Sequence, residues 1–170
     1  MHSQEKQIVN VVDTLQEDIL EMIQRLVREP STLGNEASVL TAMEGCLKQL
    51  GLKPKRIPID VPTLSSHEGF APVPWDYENR YNLVAMEPAA GEGGQSVLFN
   101  GHLDVVSPEP KELWRQDPFE PVIRDGWLYG RGAGDMKSGV AAMVYALYAI
   151  KKAGFGLRAP VCINAVIEEE

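Results

Sequence analysis

The stretch PVIRDGWLYGRGAGDMKSGVAAMVYALYAIKKAGFGLRAPVCINAVI, residues 121–167, decides the fold. Two β-prone triplets flank Asp125-Gly126, a dipeptide that supplies the positive φ angles of a tight hairpin turn. From Gly139 to Lys152, residues Val140, Met143, Val144, Leu147 and Ile150 recur on one side of a helix that Gly154 closes. APVCINAVI then reads as a buried strand. Hairpin, helix and strand in succession predict an α/β layer architecture, with helices flanking a mixed sheet.

Working outward, Ile8, Val12, Leu15, Ile19, Ile23 and Leu26 fall three or four residues apart, which predicts one amphipathic helix over Ile8–Glu29, stopped by Pro30. A second helix is expected from Glu36 to about Leu50, with Val39, Leu40, Met43 and Leu47 as its apolar stripe and Gly51 as its C-cap. LKPKRIPID, residues 52–60, reads as an edge strand, because Pro54 and Pro58 remove ladder donors. Prolines and glycine interrupt any period over 61–80, so a long surface loop is expected there. Asn82–Glu87 and Ser96–Asn100 read as strands joined by PAAGEGGQ, and the short connection predicts that they pair with each other.

Composition excludes several classes. A chain of 170 residues, 44% of them hydrophobic, can bury one sizeable core. No run approaches the roughly 18 apolar residues of a membrane span, and the N-terminal segment mixes carboxylates with its apolar residues, so a cytoplasmic location without a membrane partner is expected. The excess of 24 acidic over 16 basic residues, a formal charge of −8, would repel a phosphate backbone and argues against a nucleic-acid partner. Cys46 and Cys162 have no CxxC or CxxH neighbours, which disfavours thiol metal sites and leaves free core thiols as the expectation.

Three polar features mark candidate chemistry. In VLFNGHLDVV, residues 97–106, His102 and Asp104 are two apart on an extended segment, so their side chains share a face with Cα atoms about 7 Å apart. That suits a metal-binding imidazole held by a carboxylate, and equally a buried histidine satisfied by its neighbour. The glycines of GRGAGDMKSG, residues 130–139, turn the backbone sharply ahead of Asp135. This carboxylate is either delivered to a ligand or serves as a favourable charge at a helix start. A phosphate loop fits poorly, since Met136 replaces the glycine required before Lys137-Ser138. Glu168, Glu169 and Glu170 follow a core strand; packing three carboxylates together is costly without a cation, the other reading being a solvated charge run. His2 and His67 read as surface residues, and Trp75, Trp114 and Trp127 as core or loop packing.

NGHLDVV, then WRQDPFEPVIRDGWLYGRGAGDMKSG, then VIEEE, in this order, resemble the dimetal amidohydrolases that include acetylornithine deacetylase, succinyl-diaminopimelate desuccinylase, aminoacylase and glutamate carboxypeptidase. The resemblance implies the dizinc aminopeptidase-like (phosphorylase/hydrolase-like) fold. It implies that His102 binds one metal, Asp135 bridges two, and Glu170 ligates the second. It further implies that Asp104 orients His102 and that Glu169 is the general base, with Glu168 in the first acidic place. Reading the triplet one residue earlier would make Glu168 the base and Glu169 the ligand, and the sequence leaves both registers open. The peptide bond after the bridging aspartate is usually cis in this family. Nitrogen and oxygen ligands without thiolates suit two zinc ions, with cobalt or manganese as substitutes.

The implied activity is hydrolysis of an amide bond in an N-acyl amino acid or small peptide, with an acetylornithine-deacetylase-like deacylase favoured over a dipeptidase or carboxypeptidase. Family members add a further carboxylate ligand, a second histidine ligand and an inserted smaller domain, and a homodimer is implied. Residues 1–170 are therefore expected to form the N-terminal part of a catalytic domain and to be inactive alone. The rival expectation is a non-catalytic relative that serves as an interaction module.

Overall fold

The computed structural model describes residues 3–170 of the chain; His2 lies outside them. The N-terminal periodicity is realised as two helices, α1 (Ser3–Asp13) and α2 (Gln16–Val27), and not as one. The break has a local cause. The Thr14 hydroxyl donates to the Val11 carbonyl at 2.7 Å, and the Thr14 and Leu15 amides bond three residues back, tightening the turn. Helix α3 (Ala37–Gln49) ends at Gly51, which has φ +74.

The main sheet has the order β1 (Pro54–Pro58), β2 (Tyr81–Glu87), β6 (Val161–Val166), β3 (Val97–His102). The strand with two prolines lies at the edge, where its missing donors cost nothing. β1 and β2 are antiparallel, as are β2 and β6, while β3 runs parallel to β6, so the sheet is mixed.

The expected pairing of β2 with β3 does not occur: β6 lies between them. The glycine-rich connection instead wraps the segment before β6, with the Ala90 and Gly91 amides donating to the Leu157 carbonyl and the Gly94 amide to that of Arg158. A connection spent on those bonds cannot form a tight hairpin, and it leaves room for a third strand. The 61–80 segment also opens on a helical turn, α4 (Val61–Leu64), because Asp60 accepts from the Thr63 amide and hydroxyl.

The hairpin of β4 (Val122–Arg124) and β5 (Trp127–Tyr129) turns at Asp125 and Gly126, with φ of 52 and 80. It leaves Trp127 70% exposed, so this tryptophan packs in neither core nor loop. Helix α5 (Ser138–Lys152) then returns the chain to β6. Leu83, Ala85, Ile163 and Ala165 bury the sheet face against α3 and α5, together with Val39, Leu40, Met43, Val140, Val144 and Leu147. The opposite face carries exposed Met86 and Leu98, and Asn164 donates to Asn100 across it at 2.7 Å, so β6 is buried on one side only.

Where α5 crosses β3 the approach is closest at Gly101. A Cβ there would lie 2.5 Å from Met143 Cε and 2.9 Å from Val140 Cγ2. Glycine thus sets the depth at which the next residue, His102, enters the molecule.

Candidate metal centre

His102 ends β3, and the chain continues extended through Val105. The Leu103 amide donates to the Val166 carbonyl at 2.9 Å, and the Val105 amide to that of Ser31 at 2.9 Å. The buried Ser31 hydroxyl donates to the Leu103 carbonyl at 2.7 Å. The imidazole is therefore presented from a backbone tied on both sides.

Its Nδ1 lies 3.0 Å from the Asp104 carbonyl oxygen. A carbonyl can only accept, so Nδ1 carries the hydrogen, and in the neutral ring Nε2 keeps its lone pair. That nitrogen faces Asp135 Oδ1 at 3.1 Å and Glu169 Oε2 at 3.6 Å. Ligand atoms of His102, Asp135 and Glu170 all lie within 4.8 Å of one another. Lone pairs converging in this way repel unless a cation sits among them. The donors are imidazole nitrogen and carboxylate oxygen, a set that fits zinc or a similar divalent ion.

Asp104 is fully buried and works differently from a simple side-chain orienter. Its main-chain carbonyl holds the ring, while the carboxylate Oδ1 stands 3.7 Å from Nδ1, outside hydrogen-bond distance, and has no partner. Oδ2 accepts from the amides of Glu169 and Glu170, both at 3.0 Å. One carboxylate thus fixes the backbone of the two glutamates that follow β6.

Asp135 does not begin a helix. Its φ and ψ of −125 and 109 are extended, and α5 starts three residues later at Ser138, so the helix-charge reading does not hold. The Asp135-Met136 peptide bond is cis. The turn before it needs Gly132, whose φ is +77 and whose Cβ would collide with Val105 Cγ1. The Asp135 side chain is 84% exposed and free to meet a ligand.

The three glutamates diverge. Glu170 joins His102 and Asp135, Glu169 reaches towards the ring, and Glu168, with φ +65, turns away. Glu168 accepts from Trp75 Nε1 and from the Tyr77 hydroxyl, both at 2.6 Å. Burial and the bonded Glu168 carboxylate push the Tyr77 phenol up to about 12. The other two tryptophans stand apart, Trp114 donating to the Pro108 carbonyl at 2.8 Å.

Residues 98–170 match Peptidase family M20/M25/M40. The chain is 34% identical over 129 residues to a succinyl-diaminopimelate desuccinylase of Bordetella avium, a match that covers 76% of this chain and 29% of that protein. Over residues 98–170 this chain carries the sequence pattern of the M20 family. Its fold is similar to part of human carnosine dipeptidase 1, with a TM-score of 0.74 at 22% identity over 98% of this chain and 35% of that one. A dinuclear metal-binding peptidase of the M20 family from Bacillus subtilis shares the fold at a TM-score of 0.53 and 15% identity, over 90% of this chain and 35% of that one. The chain spans under a third of the length of the Bordetella relative.

Two supports of the site carry no signal in sequence periodicity. Lys137 is wholly buried, and its ammonium donates to the carbonyls of Leu26 at 2.8 Å and Glu29 at 2.9 Å. Burial lowers its pKa to about 8, against the opposing pull of Glu29 and Asp104. It ties the turn that carries Asp135 to the end of α2. The second support is the pair Trp75 and Tyr77, set in a proline-rich segment and bonded to a glutamate about ninety residues away.

Proposed function

We propose that this protein hydrolyses the amide bond of an N-acyl amino acid or small peptide, as a deacylase of the acetylornithine-deacetylase kind, with two zinc ions as cofactors. His102, Asp135 and Glu170 would hold the metals, Asp135 between them, and Asp104 would be the positioning residue beneath both His102 and the glutamate pair. Two divalent ions there would lower the pKa of water and polarise the scissile carbonyl.

Glu169 is proposed as the general base. It takes a proton from the attacking water as oxygen joins the carbonyl carbon, then gives that proton to the leaving nitrogen as the carbon–nitrogen bond breaks, yielding a carboxylic acid and an amine, and the acid then loses its remaining proton to solvent. The observation that carries this is the divergence of the triplet. Glu170 is grouped with His102 and Asp135, Glu169 is 62% exposed beside the ring, and Glu168 is consumed by Trp75 and Tyr77. This supports the later of the two registers. The desuccinylase relative, itself named for removing an acyl group, supports deacylation. The match covers 29% of that relative, which supports reading residues 1–170 as part of a longer catalytic protein.

Glu169→Gln in the zinc-loaded protein tests the assignment. Turnover of N-acyl amino acids should fall by about 10²- to 10⁴-fold while bound zinc stays unchanged. Equal cleavage by wild type and variant would defeat it.

A further inference from the structure

Beside the metal centre the molecule holds a cavity of about 480 Å³. Its volume is within the usual range for small-molecule sites. Glu168 and Glu170 line it together with His67, Tyr77 and Asn82. Ile59, Leu64, Phe70, Val73 and Trp75 supply an apolar part of the wall. The segment that folds over it is the 61–80 connection, pinned by the two hydrogen bonds to Glu168.

Of the two carboxylates in this wall, Glu170 belongs to the metal-ligand cluster and Glu168 is held by Trp75 and Tyr77. Among the described residues no lysine or arginine lines the cavity. Arg80 is close by but engaged elsewhere: its guanidinium donates to Glu36 and to the Asp76 carbonyl, and lies 5.7 Å from the centre of the Tyr77 ring. His67, which also lines the cavity, uses Nδ1 to accept from the Gly69 amide. A carboxylate entering here would find no lysine or arginine among the described residues of the wall, whereas an alkyl chain would exchange water for Phe70, Val73 and Trp75.

We propose that this cavity receives an uncharged, apolar acyl chain of the substrate, so that the protein prefers N-alkanoyl amino acids to N-succinyl ones, unlike what the name of its desuccinylase relative describes. The proposal rests on the amide-hydrolase reading above and adds the acyl class to it.

Calorimetry on zinc-loaded Glu169→Gln, with N-acetylglycine, N-hexanoylglycine and N-succinylglycine as probes, separates the possibilities. Each buried methylene should tighten binding by about fourfold, so hexanoyl should bind about 16-fold more tightly than acetyl if two of its four extra methylenes are buried and about 250-fold if all four are, and succinyl more weakly than hexanoyl. Phe70→Ala should shrink the hexanoyl advantage, and Val73→Arg should invert the order of hexanoyl and succinyl. Succinyl binding as tightly as hexanoyl, or an order unmoved by both cavity variants, would overturn the proposal. Wild-type turnover distinguishes the two levels: hydrolysis that favours succinyl sinks the acyl assignment alone. Binding in the predicted order, with no acyl compound cleaved by the full-length zinc-loaded wild type, sinks the hydrolase reading and leaves the cavity's preference standing.

Discussion

Replacing Lys137 by Met keeps an unbranched stem of similar length and removes the ammonium. In the native molecule that group is wholly buried and donates to the carbonyls of Leu26 and Glu29. Each carbonyl also accepts one backbone amide, Leu26 from Glu29 at 3.2 Å and Glu29 from Ser31 at 2.8 Å. The variant therefore bares one lone pair on each oxygen and leaves neither group without a partner. That places the loss at the low end of the roughly 1–3 kcal/mol for a buried unsatisfied group, about 2 kcal/mol for the two together. Relief from burying a charge offsets part of it, so a net loss of about 1–2 kcal/mol is expected. For a chain of this size that lowers Tm by about 2–8 °C, measurable by thermal or urea unfolding. Because Lys137 follows Asp135 by two residues, zinc affinity should weaken in the same variant. A Lys137→Met protein as stable as wild type, binding zinc equally well, would refute the reasoning: the ammonium would then cost more to bury than its hydrogen bonds return.

Two further outcomes are expected. Gly132→Ala combines a left-handed φ of +77 with a collision against Val105, and should destabilise the fold by about 1–3 kcal/mol in urea unfolding and lower zinc content, whereas Gly51→Ala, with φ +74 in open space, should show only the backbone cost. Glu44 accepts hydrogen bonds from Lys48 and Arg56, which hold its pKa below the ordinary value, so its contribution is present above the unfolded carboxylate pKa of about 4.3 and is lost as pH falls through the lower folded value. Glu44→Gln should therefore melt below wild type at pH 7, and the gap should close in a series taken down towards pH 3.

The grouping of His102, Asp135 and Glu170 is expected from the family resemblance that three short motifs carry together; taken singly, each of these residues also has a plain structural reading. His102 and Asp104 alternate on a strand, Asp135 follows a glycine turn, and the acidic triplet ends a core strand. Periodicity likewise located α3, α5 and the hairpin. What it could not show was strand order, which depends on where a connection's amides find acceptors; those of PAAGEGGQ find Leu157 and Arg158, and β6 enters between β2 and β3. Nor does periodicity reveal a break set by one hydroxyl, as at Thr14. The supports of the site were hidden for a related reason. Lys137 is a charge in a core position, and Trp75 and Tyr77 act on a glutamate remote in sequence, so only the folded chain brings their partners into view.

The most direct measurement is zinc binding itself, followed by calorimetry and located by anomalous diffraction from crystals grown with zinc. The account predicts a zinc ion bonded at about 2.0–2.2 Å to His102 Nε2 and to carboxylate oxygen of Asp135, a second zinc position on the Glu170 side, and affinity that collapses in His102→Ala. Zinc held by other side chains, or binding to His102→Ala as tightly as to wild type, would contradict it.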